Sequence, residues 1–446
     1  MTNMKRIWLA TLLMGILFGG TPCLAKAEME SFNLQGIIDR AEPGETIIVP
    51  PGNYEGPLII SKTLRLEAEH EGSVTLLNSG KGAALQIESD HVTVTGLEIM
   101  DELVKEKPSV LVTGDGVLLE RLHIHTGSYG IKMQNADDGD VRNNTIEWSS
   151  LESRQAIKMA DKGNGIDLYN AHRNRITENI IKRVHDGIYL ENSDENTIIG
   201  NRIENSRYGV HCMYTKGTVI RENIGQMNIT GAMVMTVRDV EVVNNTFMKQ
   251  SENVNSQGIL LYDAHFTTVR NNRLEGNRVG LYIEQSANNR IENNGVTDNF
   301  IGIQLLESIQ NTIRGNRFSG NVSDALAKNS TGNDITGNFW DSFRGIDADG
   351  DGRSDIVYAI NPFFQGLIQK RPAFQLFFQS PGMVFLESLY QSERSKWTKD
   401  ISPLMAPPAS TRLYEQSASG IKTGLIGILL LGSTCIILLL TRRRKI

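Results

Sequence analysis

Cysteine is nearly absent: three occur in 446 residues, at Cys23, Cys212 and Cys435. The first falls in an N-terminal leader and the last in a C-terminal apolar run, so Cys212 has no partner between them and a disulfide framework is excluded. Stability must come from packing. A strong charge of one sign is lacking too. The formal net charge is −6, and Lys and Arg are scattered through the middle of the chain, which offers nucleic acid no polycationic surface and excludes it as the main ligand. What is present, 40% hydrophobic and 22% charged residues, is a globular composition in a chain long enough to build a core with ease.

Both ends carry membrane signals. Lys5 and Arg6 precede an apolar run from Ile7 to Phe18, and small residues follow around Ala25 and Ala27; this is the pattern of a cleaved signal peptide over 1–27. Gly424 to Leu440 is apolar apart from the hydroxyls of Ser433 and Thr434, and Arg442-Arg443-Arg444-Lys445 come directly after Thr441. At ~1.5 Å per residue, this run, begun at Ile421, spans a hydrocarbon core of ~30 Å. Positive residues stay inside. The expectation is therefore one transmembrane helix over 421–441, a cytoplasmic tail over 442–446, and an ectodomain on the extracytoplasmic side of the plasma membrane.

The middle of the chain repeats. Glycines at Gly165, Gly187, Gly209 and Gly231 are 22 residues apart, as are Gly258, Gly280 and Gly302. The steps from Gly130 to Gly165 and from Gly231 to Gly258 are longer by 13 and 5 residues, and Asp324 takes the glycine place in the last repeat. Eleven residues after each position stands a β-branched residue: Val141, Ile176, Ile198, Ile220, Val242, Val269, Ile291, Ile313 and Ile335. Fourteen residues after each stands asparagine: Asn144, Asn179, Asn201, Asn223, Asn245, Asn272, Asn294, Asn316 and Asn338.

Each repeat thus holds short alternating strands and one Asn in constant register. Asn tolerates left-handed backbone and hydrogen-bonds to copies of itself, so the column predicts a stacked ladder at a left-handed turn. Coils stacked about 4.8 Å apart would turn the Ile, Val and Leu columns into a core. The predicted fold is all-β, a right-handed parallel β-helix (solenoid) of 22-residue coils. Gly44 to Gly52, Val92 to Ile99 and Val117 to Ile124 continue the alternation as first coils. Ser31 to Ala41, with Phe32, Leu34, Ile37 and Ile38 on one side, is an amphipathic N-terminal cap helix. The expected divisions are signal peptide 1–27, β-helix 28–340, Asp-rich loop and C-terminal cap 341–361, partner-contacting tail and linker 362–420, then the anchor and its tail.

Positions two and four after the repeat glycine point outward, because positions one and three fill the core. The first outward column reads Lys132, Asp167, Tyr189, His211, Met233, Leu260, Tyr282 and Gln304; the second reads Gln134, Tyr169, Glu191, Met213, Met235, Tyr262, Glu284 and Leu306. No stacked carboxylate pair of a sugar-cleaving β-helix stands in these columns, and the Asp-Pro-His tripeptide of alginate epimerases is missing. Tyr169, Tyr189, Tyr262 and Tyr282 keep a carbohydrate-binding or carbohydrate-active (lyase- or hydrolase-like) β-helix as the rival reading.

The unusual group is His211, Met213, Met233 and Met235, a two-by-two block of one imidazole and three thioethers on neighbouring coils. That donor set is soft and suits Cu(I). It also suits a dry patch covered by a partner or by the loop inserted after Met235, and the two readings stand side by side. Cys212 points inward between them as a small core residue. His123 and His125 share an outward face as an ordinary surface pair. Beyond the coils, Asp347, Asp349, Asp351 and Asp355 match positions 1, 3, 5 and 9 of a calcium loop, with Gly352 at position 6. Tyr358 stands where the bidentate Glu of position 12 belongs, so structural calcium and a solvated acidic turn are both open.

Taken together, the Val49-Pro50-Pro51-Gly52-Asn53-Tyr54 opening, the 22-residue coils, Gly337-Asn338-Phe339-Trp340-Asp341, Ser380-Pro381-Gly382 and Asp400-Ile401-Ser402-Pro403-Leu404-Met405 resemble the NosD family of nitrous oxide reductase maturation proteins. The resemblance implies a copper-binding accessory role and no catalysis. It implies as partners the permease and ATPase of an ABC transporter, nitrous oxide reductase, and a copper chaperone, all serving assembly of a copper–sulfur centre in denitrification. No copper motif of that family is matched, so it supplies no ligand residues here, and the membrane anchor departs from the family's usual soluble form.

Overall fold

A strand of three to six residues with alternate apolar side chains can bury only one face, and it needs neighbours on both edges. The computed structural model meets both demands by winding the chain. It describes residues 33–150, 157–250, 256–377, 380–391, 394, 397–409 and 411. Three parallel sheets of 13, 13 and 12 strands run the length of the molecule, and each strand pairs with the one a full turn before and after it. One turn comprises Asp186–Glu191 in the third sheet, Thr197–Ile199 in the first and Arg202–Glu204 in the second. With the usual hand of parallel crossovers this is a right-handed parallel β-helix. The signal peptide expected over 1–27, the anchor over 421–441 and the tail over 442–446 lie outside the described residues; among those described, no helix is long and apolar enough to cross a membrane.

The repeat sets the register as expected. Val141 pairs with Ile176, and the column runs on through Ile198, Ile220, Val242, Val269, Ile291 and Ile313 to Ile335. All of these are buried. The two insertions leave it undisturbed, since Lys132 still pairs with Asp167 and Met233 with Leu260. Glycine is required in its column by close approach. A Cβ on Gly209 would lie 2.4 Å from the Gly231 carbonyl oxygen of the next coil, and one on Gly187 would lie 2.6 Å from that of Gly209. Asp324 is tolerated because its strand, Ser323–Lys328, is the last of the third sheet among the described residues.

The Asn ladder forms, but not at the left-handed residue. In every coil it is the preceding residue that has positive φ: Asn143, Glu178, Glu222, Asn244, Asn271 and Asn293, and glycine at Gly200, Gly315 and Gly337. The ladder Asn is there for hydrogen bonding alone. Asn223, for example, donates its backbone N (2.9 Å) and Nδ2 (3.0 Å) to Asn245 Oδ1, and Nδ2 also reaches the Ile198 carbonyl at 2.9 Å. The amide thus satisfies corner groups that the sheets cannot reach. Further ladders, outside the column fourteen residues after the repeat glycine, run through Asn174 and Asn196, through Asn289, Asn311 and Asn333, and through Asn277, Asn299 and Asn321.

Both ends are closed. At the start, the helix Leu34–Arg40, capped by the Asn33 side chain, buries Leu34 and Ile38. At the finish, Asp400 takes the place of the next Asn: its Oδ2 accepts from Asn338 N and Nδ2 and from Trp340 Nε1, each at 3.0 Å. The Trp340 ring stacks between Phe318 (4.3 Å) and Tyr358 (4.7 Å) and seals the core. The helices Phe363–Lys370 and Pro381–Leu389 follow, seating Phe364 and Met383 on Val279, Ile301 and Leu326 of the third sheet. They leave Leu376, Phe377, Val384, Phe385, Leu386 and Leu389 exposed.

Candidate metal site

The third sheet carries the two-by-two block in the expected register. His211 on strand Tyr208–Met213 pairs with Met233 on strand Thr230–Arg238, and Met213 pairs with Met235. The three methionines are half-buried. His211 departs from the expectation of an open outer face. Its side chain is only 8% exposed, with the Tyr189 ring 4.9 Å away and the Tyr208 ring edge-on at 5.0 Å. The imidazole is on the outer side of the sheet but under cover of its neighbours.

Beneath those rings lies a carboxylate. Asp186 Oδ2 is 2.9 Å from His211 Nδ1, and Arg207 grips the same carboxylate through Nε to Oδ1 (2.8 Å) and Nη2 to Oδ2 (2.6 Å). Burial alone would push the Asp186 carboxyl up, but the hydrogen bonds from Arg207 and His211 outweigh it and hold the group below the ordinary carboxylate range. Because Arg207 donates to both of its oxygens, Asp186 is the acceptor in its contact with the ring, and Nδ1 of His211 is the donor. The other ring nitrogen, Nε2, is buried and has no hydrogen-bond partner among the described residues.

Asp186 and Arg207 escape a sequence reading for a definable reason. Asp186 occupies the position before the repeat glycine, whose column continues as Tyr208, Thr230, Gln257 and Val279. Nothing in that column repeats, and the contact spans 25 residues, one coil plus three. The only available signal was a lone Asp in a place otherwise uncharged.

Beside the block lies an open groove of about 410 Å³, lined by Arg207, Tyr208, Gln257, Leu260, Tyr262 and Tyr282 among others. Leu260 and Tyr262 directly follow Met233 and Met235 in register. Tyr189 and Tyr282 are not free platforms: each donates its hydroxyl to the glutamate two residues on, Glu191 and Glu284, at 2.9 Å. Tyr169 is the exposed one of the four.

The other candidates behave differently. Asp347, Asp349 and Asp351 place one carboxylate oxygen each within 4.8 Å of the others. Asp355 is not in that group; its Oδ2 accepts from Ala348 N at 2.8 Å. Tyr358 belongs to the aromatic seal over Trp340. His123 and His125 stand 3.9 Å and 3.7 Å from Glu71 and Glu98 at the surface. Cys212 is wholly buried, which pushes its thiol up to about 12.

A donor nitrogen left without a partner, next to three thioethers, is a set that fits a soft monovalent ion and not a hard one. Fold and site together define a parallel β-solenoid with a soft-ligand patch on one flank. The family model described as periplasmic copper-binding protein (NosD) matches residues 149–345. A protein of Stutzerimonas stutzeri named probable ABC transporter binding protein NosD is 28% identical over 426 residues, covering 82% of this chain and 88% of its own. Its namesake from Pseudomonas aeruginosa is 29% identical over 456 residues, covering 90% and 95%. Over residues 149–345, and along most of the length of both relatives, the chain is similar to NosD proteins. Among solved structures, an alginate lyase with a bound trisaccharide superposes with a TM-score of 0.53 over 68% of this chain and 81% of its own, at 15% identity; the likeness is one of fold alone.

Proposed function

We propose that this chain is a non-catalytic accessory factor that takes up Cu(I) at His211, Met213, Met233 and Met235 and presents it, with an ABC transporter, for assembly of the copper–sulfur centre of nitrous oxide reductase. One observation carries the copper assignment: a buried imidazole nitrogen without a hydrogen-bond partner among the described residues, on the coil that also supplies Met213 and beside the coil that supplies Met233 and Met235. The family description and the relatives' names support it. Copper here is cargo. The half-buried thioethers hold it while leaving one side open for transfer.

Two further features belong to this reading. The exposed apolar side chains of the helix Pro381–Leu389, with Leu376 and Phe377, are too concentrated for an idle surface and supply a contact for the transporter's membrane component. The apolar run from Gly424 to Leu440 with its trailing cations would tether the ectodomain beside that partner, on the extracytoplasmic side.

Competition between the purified protein and a Cu(I) chelator tests the assignment. Met213→Ala/Met235→Ala is expected to weaken Cu(I) binding by about tenfold or more with unchanged circular dichroism, an order set by the loss of two of four soft donors. Equal affinity in variant and wild type would remove the patch from the function.

A further inference from the structure

We propose that Asp186 is a positioning residue for the copper ligand: held in place by Arg207, it keeps His211 in the Nδ1–H form, so that the buried Nε2 presents its lone pair to the ion. The role rests on the reading of His211 as a copper ligand; the choice of tautomer does not.

The geometry decides between tautomers. With hydrogen on Nδ1, the 2.9 Å contact to Asp186 Oδ2 is a charge-assisted hydrogen bond. With hydrogen on Nε2 instead, the Nδ1 lone pair would face an anionic oxygen, and a buried N–H would stand without an acceptor. Both penalties act in the same direction. The carboxylate cannot swing away to relieve them, because Arg207 holds both of its oxygens and the guanidinium lies 4.3 Å over the Tyr208 ring. A carboxylate behind a metal-bound imidazole is the usual device for fixing ring orientation and raising ligand basicity. Here it comes with an added feature. The Arg207 charge offsets that of Asp186, so the carboxylate reaches the ring as one half of an ion pair.

Histidine-selective ¹⁵N spectra of the metal-free full chain, with His211→Gln used to assign the ring, read the tautomer directly. The expected result is a protonated Nδ1 and a pyridine-type Nε2 in the wild type. In Asp186→Asn the two forms should mix, while Asp186→Glu, which keeps an acceptor-only group, restores the single form. Cu(I) affinity by chelator competition is expected to fall about 10–100-fold in Asp186→Asn and to recover in Asp186→Glu. A wild-type ring protonated at Nε2 would overturn the inference whatever copper does. A locked Nδ1–H form with equal affinity in wild type and Asp186→Asn would overturn the positioning role and leave the copper proposal standing. A wild type that fails to bind Cu(I) would bring down both.

Discussion

Asp324 stands alone as a carboxylate in a column of glycines. Burial raises its pKa to about 6 from an ordinary 3.8, against the opposing effect of the hydrogen bond from Ser342. Ser342 donates both its backbone N and its hydroxyl to Oδ2, at 3.3 Å and 2.5 Å. Folding therefore takes up a proton at Asp324 between about pH 4 and pH 6. The stability this confers is complete below the unfolded value and is lost as pH rises through the folded one. Two units correspond to about 3 kcal/mol at most. Asp324→Asn keeps an acceptor for Ser342 and removes the titration, so its urea midpoint should vary less between pH 4 and pH 7 than that of the wild type. Parallel curves for the two proteins would show that Asp324 does not control this step.

The element that repeats most faithfully is the corner, and much of it could be read in advance. A 22-residue spacing dictates which side chains stack, so the Ile and Val column and the Asn column are visible in the sequence alone. The conformation of the corner was less visible: Glu178, Glu222 and Asn244 adopt positive φ in the same place as Gly200, and such mixed chemistry leaves no residue signature. For the same reason Asp186 was hidden while Met233 was not. One lies in an irregular column at the first residue of its strand, the other inside a strand whose period is known. The ladder itself invites a test. Asn223→Leu would take the acceptor from Asn201 N (2.9 Å), remove one of the bonds of Asn201 Nδ2 (3.0 Å), which keeps the Ile176 carbonyl at 2.8 Å, and strip the side-chain donor from the Ile198 carbonyl. Buried orphans cost about 1–3 kcal/mol each. The variant should keep its β-rich circular dichroism and melt well below the wild type; an unchanged melting temperature would mean that water or a shifted neighbour replaces the rung.

At the scale of the whole molecule, coils touch only the next coils, so stability is close to a sum of neighbour terms. Damage at one end should stay there. Asp400 receives five donors: Gly337 N, Asn338 N and Nδ2, Trp340 Nε1 and Ser402 N. Asp400→Ala is expected to raise amide hydrogen exchange sharply in the coils from Gly302 to Trp340 and to leave 165–250 protected, with Cu(I) affinity unaltered. Loss of protection spread evenly along the chain would instead reveal one cooperative unit.

The glycine column also bears on how such a chain can change its length. A duplicated layer slipped in between Gly258 and Gly302, clear of the Asp186–His211 contact, brings its own hydrogen atom to the crowded spot. A layer appended after Asp324 would meet a side chain where a carbonyl must pass, and that aspartate would first have to be replaced by glycine. Growth is thus free in the interior and barred at the terminus, which makes Asp324 the stop mark of the stack.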